Sequence, residues 1–110
     1  MTIKMIVSDL DGTLLDGAYR LSAENRAALQ EAAARGVLVT LATGRMFCSA
    51  ARYARELGLD SPVISYNGAL VQKMDGAVLE SSFLPPEVVT RTLRYIFSRG
   101  WYVQLYTTEG

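Results

Sequence analysis

The 110-residue sequence has no histidine, a single cysteine and no apolar run long enough to cross a bilayer. Without histidine, neither a Ser-His-Asp triad, a Cys-His pair nor a His-ligated zinc site can be assembled within the chain. Cys48 cannot form an internal disulfide, which agrees with a reducing compartment, and with no activating base in evidence it reads as a small helix residue. Eleven basic and eleven acidic residues cancel, so nothing in the charge balance suggests nucleic acid or an anionic membrane surface as partner. The longest apolar stretch, residues 37–42, falls well short of the roughly 20 residues of a transmembrane helix. Residues 1–7 lack the long apolar core of a signal peptide, so a cytoplasmic location is expected. No repeat or low-complexity tract is present, and a half-hydrophobic composition is that of a globular domain with a real core.

What is present is an alternation of strand and helix patterns. Met5, Ile6 and Val7 in a row predict a strand buried on both faces of a sheet, ending in the polar run Asp9-Leu10-Asp11-Gly12. Leu14 and Leu15 before Asp16-Gly17 suggest a small hairpin or loop. Ser22 is a plausible N-cap, Ala27, Ala28, Leu29, Ala32 and Ala33 supply a helical face, and Gly36 ends it. Residues 37–42 form a second strand, followed by a helix over about 46–57 that Gly58 stops. Residues 63–65 form a third strand, and residues 69–72 and 77–80 flank Asp75-Gly76 as a hairpin. Pro85 and Pro86 open a helix with Val89, Leu93, Ile96 and Phe97 on one face, and Gly100 closes it. Alternation of Trp101, Val103 and Leu105 with Tyr102, Gln104 and Tyr106 predicts a last, half-buried strand. The order strand, helix, strand, helix, strand implies an α/β fold with a parallel, Rossmann-like sheet and helices on both faces. The later hairpin, helix and strand suggest a second unit, with a boundary near residues 82–86.

Chemistry-bearing residues cluster at predicted strand ends, where open α/β sheets bind ligands. Asp9 and Asp11, two apart at the end of the first strand, can point the same way, share a cation and divide nucleophilic from acid–base work. Thr43 and Gly44 end the second strand just before a helix, offering a hydroxyl and backbone N–H groups to a phosphate, and Arg45 adds a guanidinium. Asn67 and Gly68 close the third strand on the same rim. Plainer readings exist for each: turn residues for Asp9 and Asp11, an ordinary helix start for Thr43-Gly44, a solvated side chain for Arg45, and a simple turn for Asn67-Gly68. A calcium loop fails on spacing, because Leu14 and Arg20 stand where its glycine and closing glutamate belong. A dinucleotide-binding unit fails because no Gly-x-Gly-x-x-Gly follows the first strand. The aromatics Trp101, Tyr102 and Tyr106 read as packing residues, and Arg52, Arg55, Arg91, Arg94 and Arg99 as solvent-facing.

The segment Val7-Ser8-Asp9-Leu10-Asp11-Gly12-Thr13-Leu14-Leu15 resembles the first signature motif of the haloacid dehalogenase superfamily of hydrolases. Leu41-Ala42-Thr43-Gly44-Arg45 resembles the second, and Tyr66-Asn67-Gly68-Ala69 is similar to a segment of the Cof-like sugar-phosphate phosphatases within it. The resemblance implies residues 1–83 as the N-terminal part of the hydrolase core and residues 84–110 as the start of an α/β cap. It further implies a magnesium-dependent phosphomonoester hydrolase acting on a small phosphorylated metabolite, such as a sugar phosphate. Asp9 is then the nucleophile that forms an aspartyl-phosphate and a metal ligand. Asp11 is the acid–base residue, its carbonyl a second metal ligand. Thr43 and Gly44 bind the phosphoryl group, and Arg45 and Asn67 are further substrate contacts.

Two parts of the family pattern are missing. The third motif supplies a lysine, yet the only lysines are Lys4, at the wrong end of the first strand, and Lys73, in a hairpin. The fourth supplies acids after a Gly-Asp pair, and Asp60, Asp75 and Glu109 lack that context. Both motifs follow the cap in the family, so truncation is the expectation, with weak or no activity for the chain alone. The alternative is a non-catalytic fragment or subunit that self-associates or pairs with a separate C-terminal half. The family places the first strand mid-sheet, and without its later neighbours that strand would keep an open apolar edge.

Overall fold

A computed structural model describes residues 2–107. The elements run β1 (Met5–Ser8), α1 (Ala23–Ala34), β2 (Leu38–Leu41), α2 (Phe47–Leu57), β3 (Val63–Ser65), a single 3-10 turn (Tyr66–Gly68), β4 (Leu70–Gln72), β5 (Val78–Ser81) and α3 (Pro86–Ser98). This is the α/β order expected, with β1 and β2 parallel and in register from Met5 opposite Leu38 to Ser8 opposite Leu41.

Between β2 and β3 the parallel arrangement continues without a full ladder. One bridge joins Ala42 to Ile64, and the Thr43 N–H donates to the Ile64 carbonyl at 3.0 Å. Pro62 has no N–H to give, so the pairing before this point depends on side chains. The Thr40 hydroxyl donates to the Pro62 carbonyl, and the Ser61 hydroxyl to the Val39 carbonyl. Both hydroxyl residues are buried, and their bonds satisfy polar groups that would otherwise be costly there. β3, β4 and β5 then form an antiparallel meander, with the Asp75-Gly76 turn between β4 and β5 as expected.

The core lies between the sheet and α2. Ala50, Tyr53, Ala54 and Leu57 fall at i, i+3, i+4 and i+7, so one face of α2 is buried against Val39, Leu41, Val63 and the loop residues Leu10, Leu14 and Leu15. Gly58, at φ 73°, reverses the chain so that the Leu59 N–H returns to the Ala54 carbonyl. α1 is capped as expected, with the Ser22 hydroxyl accepting from the Asn25 N–H at 3.1 Å. Its face is thinner than expected. No α1 residue is fully buried, only Leu29, Ala32 and Ala33 pack on the core, and Ala27 and Ala28 are exposed. Alanines present little apolar surface, and an ion pair from Arg26 to Glu56 adds a tie to α2.

Three further expectations need correction. β1 is not buried on both faces: Met5 and Val7 are each 48% exposed, because β1 forms the edge of its sheet and nothing among the described residues covers that side. Residues 101–106 are not a strand, since alternation yields a strand only where a neighbour supplies a hydrogen-bonding ladder, and no described strand pairs with them. Trp101, Tyr102 and Tyr106 accordingly remain exposed, with Trp101 set edge-on to Tyr95 and Tyr106 against Tyr66. α3 likewise buries no residue completely.

Candidate active site

The alternation of β1 delivers a buried residue between two exposed acids. Leu10 is fully buried, and Asp9 and Asp11 on either side of it are exposed. The chain then coils tightly, with the Leu10 carbonyl accepting from the N–H groups of Thr13, Leu14 and Leu15 at 3.3, 3.0 and 2.9 Å. Gly12 makes this coil possible at φ 72°. The Asp9 carboxylate accepts from the Leu10 N–H at 2.8 Å and, on its other oxygen, from the Thr13 hydroxyl at 3.5 Å.

Asp9 lines an open cleft of about 450 Å³ together with Ala42, Thr43, Gly44, Ile64, Asn67 and Gly68. The ends of β1, β2 and β3 therefore meet at one place, as the strand-end argument required. Backbone bonds fasten the last two ends together: the Tyr66 N–H donates to the Arg45 carbonyl and the Asn67 N–H to the Thr43 carbonyl, both at 3.0 Å. Tyr66, Asn67 and Gly68 all have positive φ, at 51°, 57° and 94°. Two consecutive non-glycine residues in the left-handed region are a strained arrangement that the bonds to the Thr43–Arg45 segment hold in place.

Thr43 is buried, and its hydroxyl oxygen accepts from the Arg45 N–H at 3.1 Å, which leaves its O–H to donate. The Gly44 N–H has no acceptor among the described residues. A hydroxyl and a backbone N–H beside Asp9 suit an anion such as a phosphate. α2 itself begins only at Phe47, with Met46 at its N-cap and no side-chain cap.

Asp11 and Arg45 are brought together, but away from the residues that line the cleft. Arg45 Nε donates to Asp11 Oδ2 at 2.7 Å and Nη2 to Oδ1 at 2.6 Å, a fork-to-carboxylate pair. Hydrogen bonding to Arg45 holds the Asp11 carboxyl below its usual range, and the same bond pushes the Arg45 pKa further up. Asp11 is thus ionised in this state, ready to take a proton; giving one requires the pair to loosen.

Lys4 precedes β1, at the opposite end from Asp9, and Lys73 lies in the β4–β5 turn. No cluster of three or more His, Cys, Asp or Glu side chains exists among the described residues. The donor set nevertheless suits magnesium in part. That ion takes hard oxygen ligands and commonly needs only one or two protein carboxylates beside substrate and water. The Asp9 carboxylate and the Asp11 carbonyl are such oxygens, whereas the Asp11 carboxylate is engaged by Arg45.

Three residues that support this site were not singled out from the sequence. Arg45 Nη1 donates to the Ser49 hydroxyl at 3.1 Å, and the guanidinium carbon lies 5.2 Å from the Tyr53 ring centre and 5.5 Å from that of Tyr19. The Tyr53 hydroxyl in turn donates to the Tyr19 carbonyl at 3.1 Å. Ser49 and Tyr53 share one face of α2 and Arg45 precedes them at the same spacing, just before the helix, a signal that was available; the contact with Tyr19 was not.

Comparison with known proteins bears on what this arrangement does. A family model described as haloacid dehalogenase-like hydrolase matches residues 6–110. The phosphatase YwpJ of Bacillus subtilis (strain 168) is 31% identical over 105 residues, covering 96% of this chain and 37% of that protein. The 5-amino-6-(5-phospho-D-ribitylamino)uracil phosphatase YwtE of the same organism is 33% identical over 107 residues, covering 97% of this chain and 37% of that protein. Among solved structures, a haloacid dehalogenase-like hydrolase from Bacteroides thetaiotaomicron superposes with a TM-score of 0.81 at 29% identity, covering 90% of this chain and 39% of that one. The chain thus spans well under half the length of these relatives.

Proposed function

The chain belongs to the haloacid dehalogenase-like hydrolases, and on that basis we propose that the protein it comes from hydrolyses a small phosphorylated metabolite through an aspartyl-phosphate. The observation that carries this reading is the cleft that Asp9, Thr43, Gly44 and Asn67 line together at three strand ends. A carboxylate oxygen of Asp9 attacks phosphorus, and the bond to the leaving alcohol breaks. Asp11, protonated at that moment, gives its proton to the departing oxygen. Ionised by that transfer, it takes a proton from the water that attacks the aspartyl-phosphate, so that phosphate leaves, the Asp9 carboxylate is restored and Asp11 is protonated as at the start. Thr43 and Gly44 donate to the phosphoryl oxygens, where fixed donors act on developing charge, and Asn67 contacts the substrate from the third strand end.

Magnesium would be held by Asp9 and Asp11, and when bound it offsets the repulsion between the Asp9 carboxylate and the phosphate. Residues 1–83 are assigned to the hydrolase core and residues 84–110 to the start of a cap, with the enzyme cytoplasmic. A motif-three lysine and motif-four acids would come from outside this chain, whose own activity is then weak or absent. The relative YwtE, a 5-amino-6-(5-phospho-D-ribitylamino)uracil phosphatase, supports a small phosphorylated metabolite as substrate class.

The test is magnesium-dependent phosphate release from a set of small phosphomonoesters by the full-length protein and its Asp9→Asn variant. Release by both, at equal rates, would refute the assignment of Asp9.

One observation favours a second reading, a subunit that associates through its sheet. β1 is an edge strand with Ile3 65% exposed and Met5 and Val7 each 48% exposed, a surface open to strand addition. It would pair with a second copy or with a separate C-terminal half. A monodisperse monomer of the 110-residue chain by light scattering at high concentration argues against it.

A further inference from the structure

The Arg45–Asp11 pair is built differently from an ordinary surface ion pair. Exposed pairs usually join two flexible side chains and contribute little. Here all three guanidinium nitrogens are bonded, two to Asp11 and one to Ser49. The guanidinium also meets the rings of Tyr19 and Tyr53, and its side chain is only 23% exposed. Tyr53 is buried in the core face of α2, so the clamp is anchored on the packed core. Asp11, by contrast, is on an exposed loop, its side chain 43% exposed, and no other side chain among the described residues holds its carboxylate.

These facts do not match a substrate contact. Arg45 is absent from the residues lining the cleft, and its donors are turned to a carboxylate of its own chain. They match a residue that orients another. A planar fork on both oxygens fixes the carboxylate in one plane, while each oxygen keeps a lone pair for proton transfer. Misplacement of a reacting group by about 1 Å can cost on the order of 100-fold in rate.

We propose that Arg45 is the positioning residue for Asp11, a guanidinium held by Ser49, Tyr53 and Tyr19 that sets the carboxylate to take the proton of the attacking water. The proposal rests on the reading of Asp11 as the acid–base residue.

The experiment is steady-state hydrolysis of p-nitrophenyl phosphate with magnesium by the full-length protein, with thermal melts run on every variant. Arg45→Ala is expected to lower kcat by about 10- to 100-fold while KM stays within about twofold. Arg45→Lys, which keeps the charge but not the fork, should not restore kcat. Added guanidinium should recover part of the Arg45→Ala loss, and none in Asp11→Asn or in the double variant. The double variant should be no slower than Asp11→Asn alone. A raised KM with kcat intact would overturn the proposal by making Arg45 a substrate contact. So would an unchanged or increased kcat, or an equal fold-loss in the Asp11→Asn background. If Arg45→Ala does not fold, the lysine variant and Tyr53→Phe, which frees Tyr19 but keeps the ring, carry the same comparison. Full activity in Asp11→Asn would remove the underlying reading, whereas an inactive Asp11→Asn beside an unaffected Arg45→Ala would remove this proposal alone.

Discussion

Gly44 and Asn67 approach so closely that a β-carbon on Gly44 would lie 2.8 Å from the Asn67 side-chain oxygen. The two residues are 23 positions apart in sequence, at the ends of different strands, and both line the cleft. The backbone bonds from Asn67 to Thr43 and from Tyr66 to Arg45 tie the two segments together, so a side chain at 44 would have to push the Asn67 amide aside.

Gly44→Ala should fold and yet lose phosphatase activity in the full-length protein. The added methyl displaces the Asn67 amide and with it one edge of the cleft, so kcat/KM should fall about 10-fold or more, with a stability cost of no more than about 1 kcal/mol because only a side-chain end has to move. Kinetics beside a thermal melt separates the two effects; equal activity would mean that Asn67 moves aside at no cost to the site.

Asn67 combines a left-handed backbone with a side chain in the cleft, and the two roles can be separated. Asn67→Gly keeps the backbone without strain and removes the side chain, whereas Asn67→Val adds strain because a β-branched residue avoids φ near 57°. The glycine variant should be as stable as the parent and weaker for substrate. The valine variant should be less stable by about 1–3 kcal/mol in urea denaturation.

Leu10 supports both acids from beneath and is fully buried. Leu10→Ala should cost about 2–5 kcal/mol, because the cavity forms between sheet and helix and cannot collapse easily. Denaturant unfolding measures it, and a cost below about 0.8 kcal/mol, that of a single buried CH₂ group, would contradict the placement of the core.

Asp16 gives the stability a dependence on acid. Its carboxylate accepts from the Arg20 N–H at 2.9 Å and from the Ala18 N–H at 2.8 Å, with Arg20 Nε at 3.2 Å. The backbone bond from Arg20 foremost holds its pKa below the usual carboxylate value. The folded chain therefore binds this proton less readily than the unfolded one. The contribution is fully present above the unfolded value of about 4 and is lost as pH falls through the lower folded value. Asp16→Asn should show a shallower loss of stability between about pH 4 and pH 2 than the parent. Parallel curves for the two would contradict the hydrogen-bonded loop.

Much of this was legible from the order of residues, and the exceptions have a common cause. Ser22 announced its cap, Asp75-Gly76 its hairpin, and Asp9, Thr43 and Asn67 their meeting point, because each depends on local chemistry or on where a strand ends. Met5 and Val7 could not reveal that their side of β1 is uncovered, since burial depends on what lies beside a strand. The alternation over residues 101–106 failed likewise: period two describes a strand that has a partner, and no strand among the described residues pairs with this segment. The bond between Arg45 and Asp11 spans 34 positions, so local spacing could show the Arg45, Ser49, Tyr53 stripe without showing what it holds.

The most direct test of the central claim is to quench the full-length protein during turnover of a phosphomonoester with magnesium and map phosphorylated residues by mass spectrometry. The account predicts an acyl-phosphate, labile to hydroxylamine, on the peptide that carries Asp9, absent in Asp9→Asn and accumulating when Asp11→Asn slows its hydrolysis. Turnover with no modification at Asp9 under any of these conditions, or phosphorylation of another residue in its place, would contradict it.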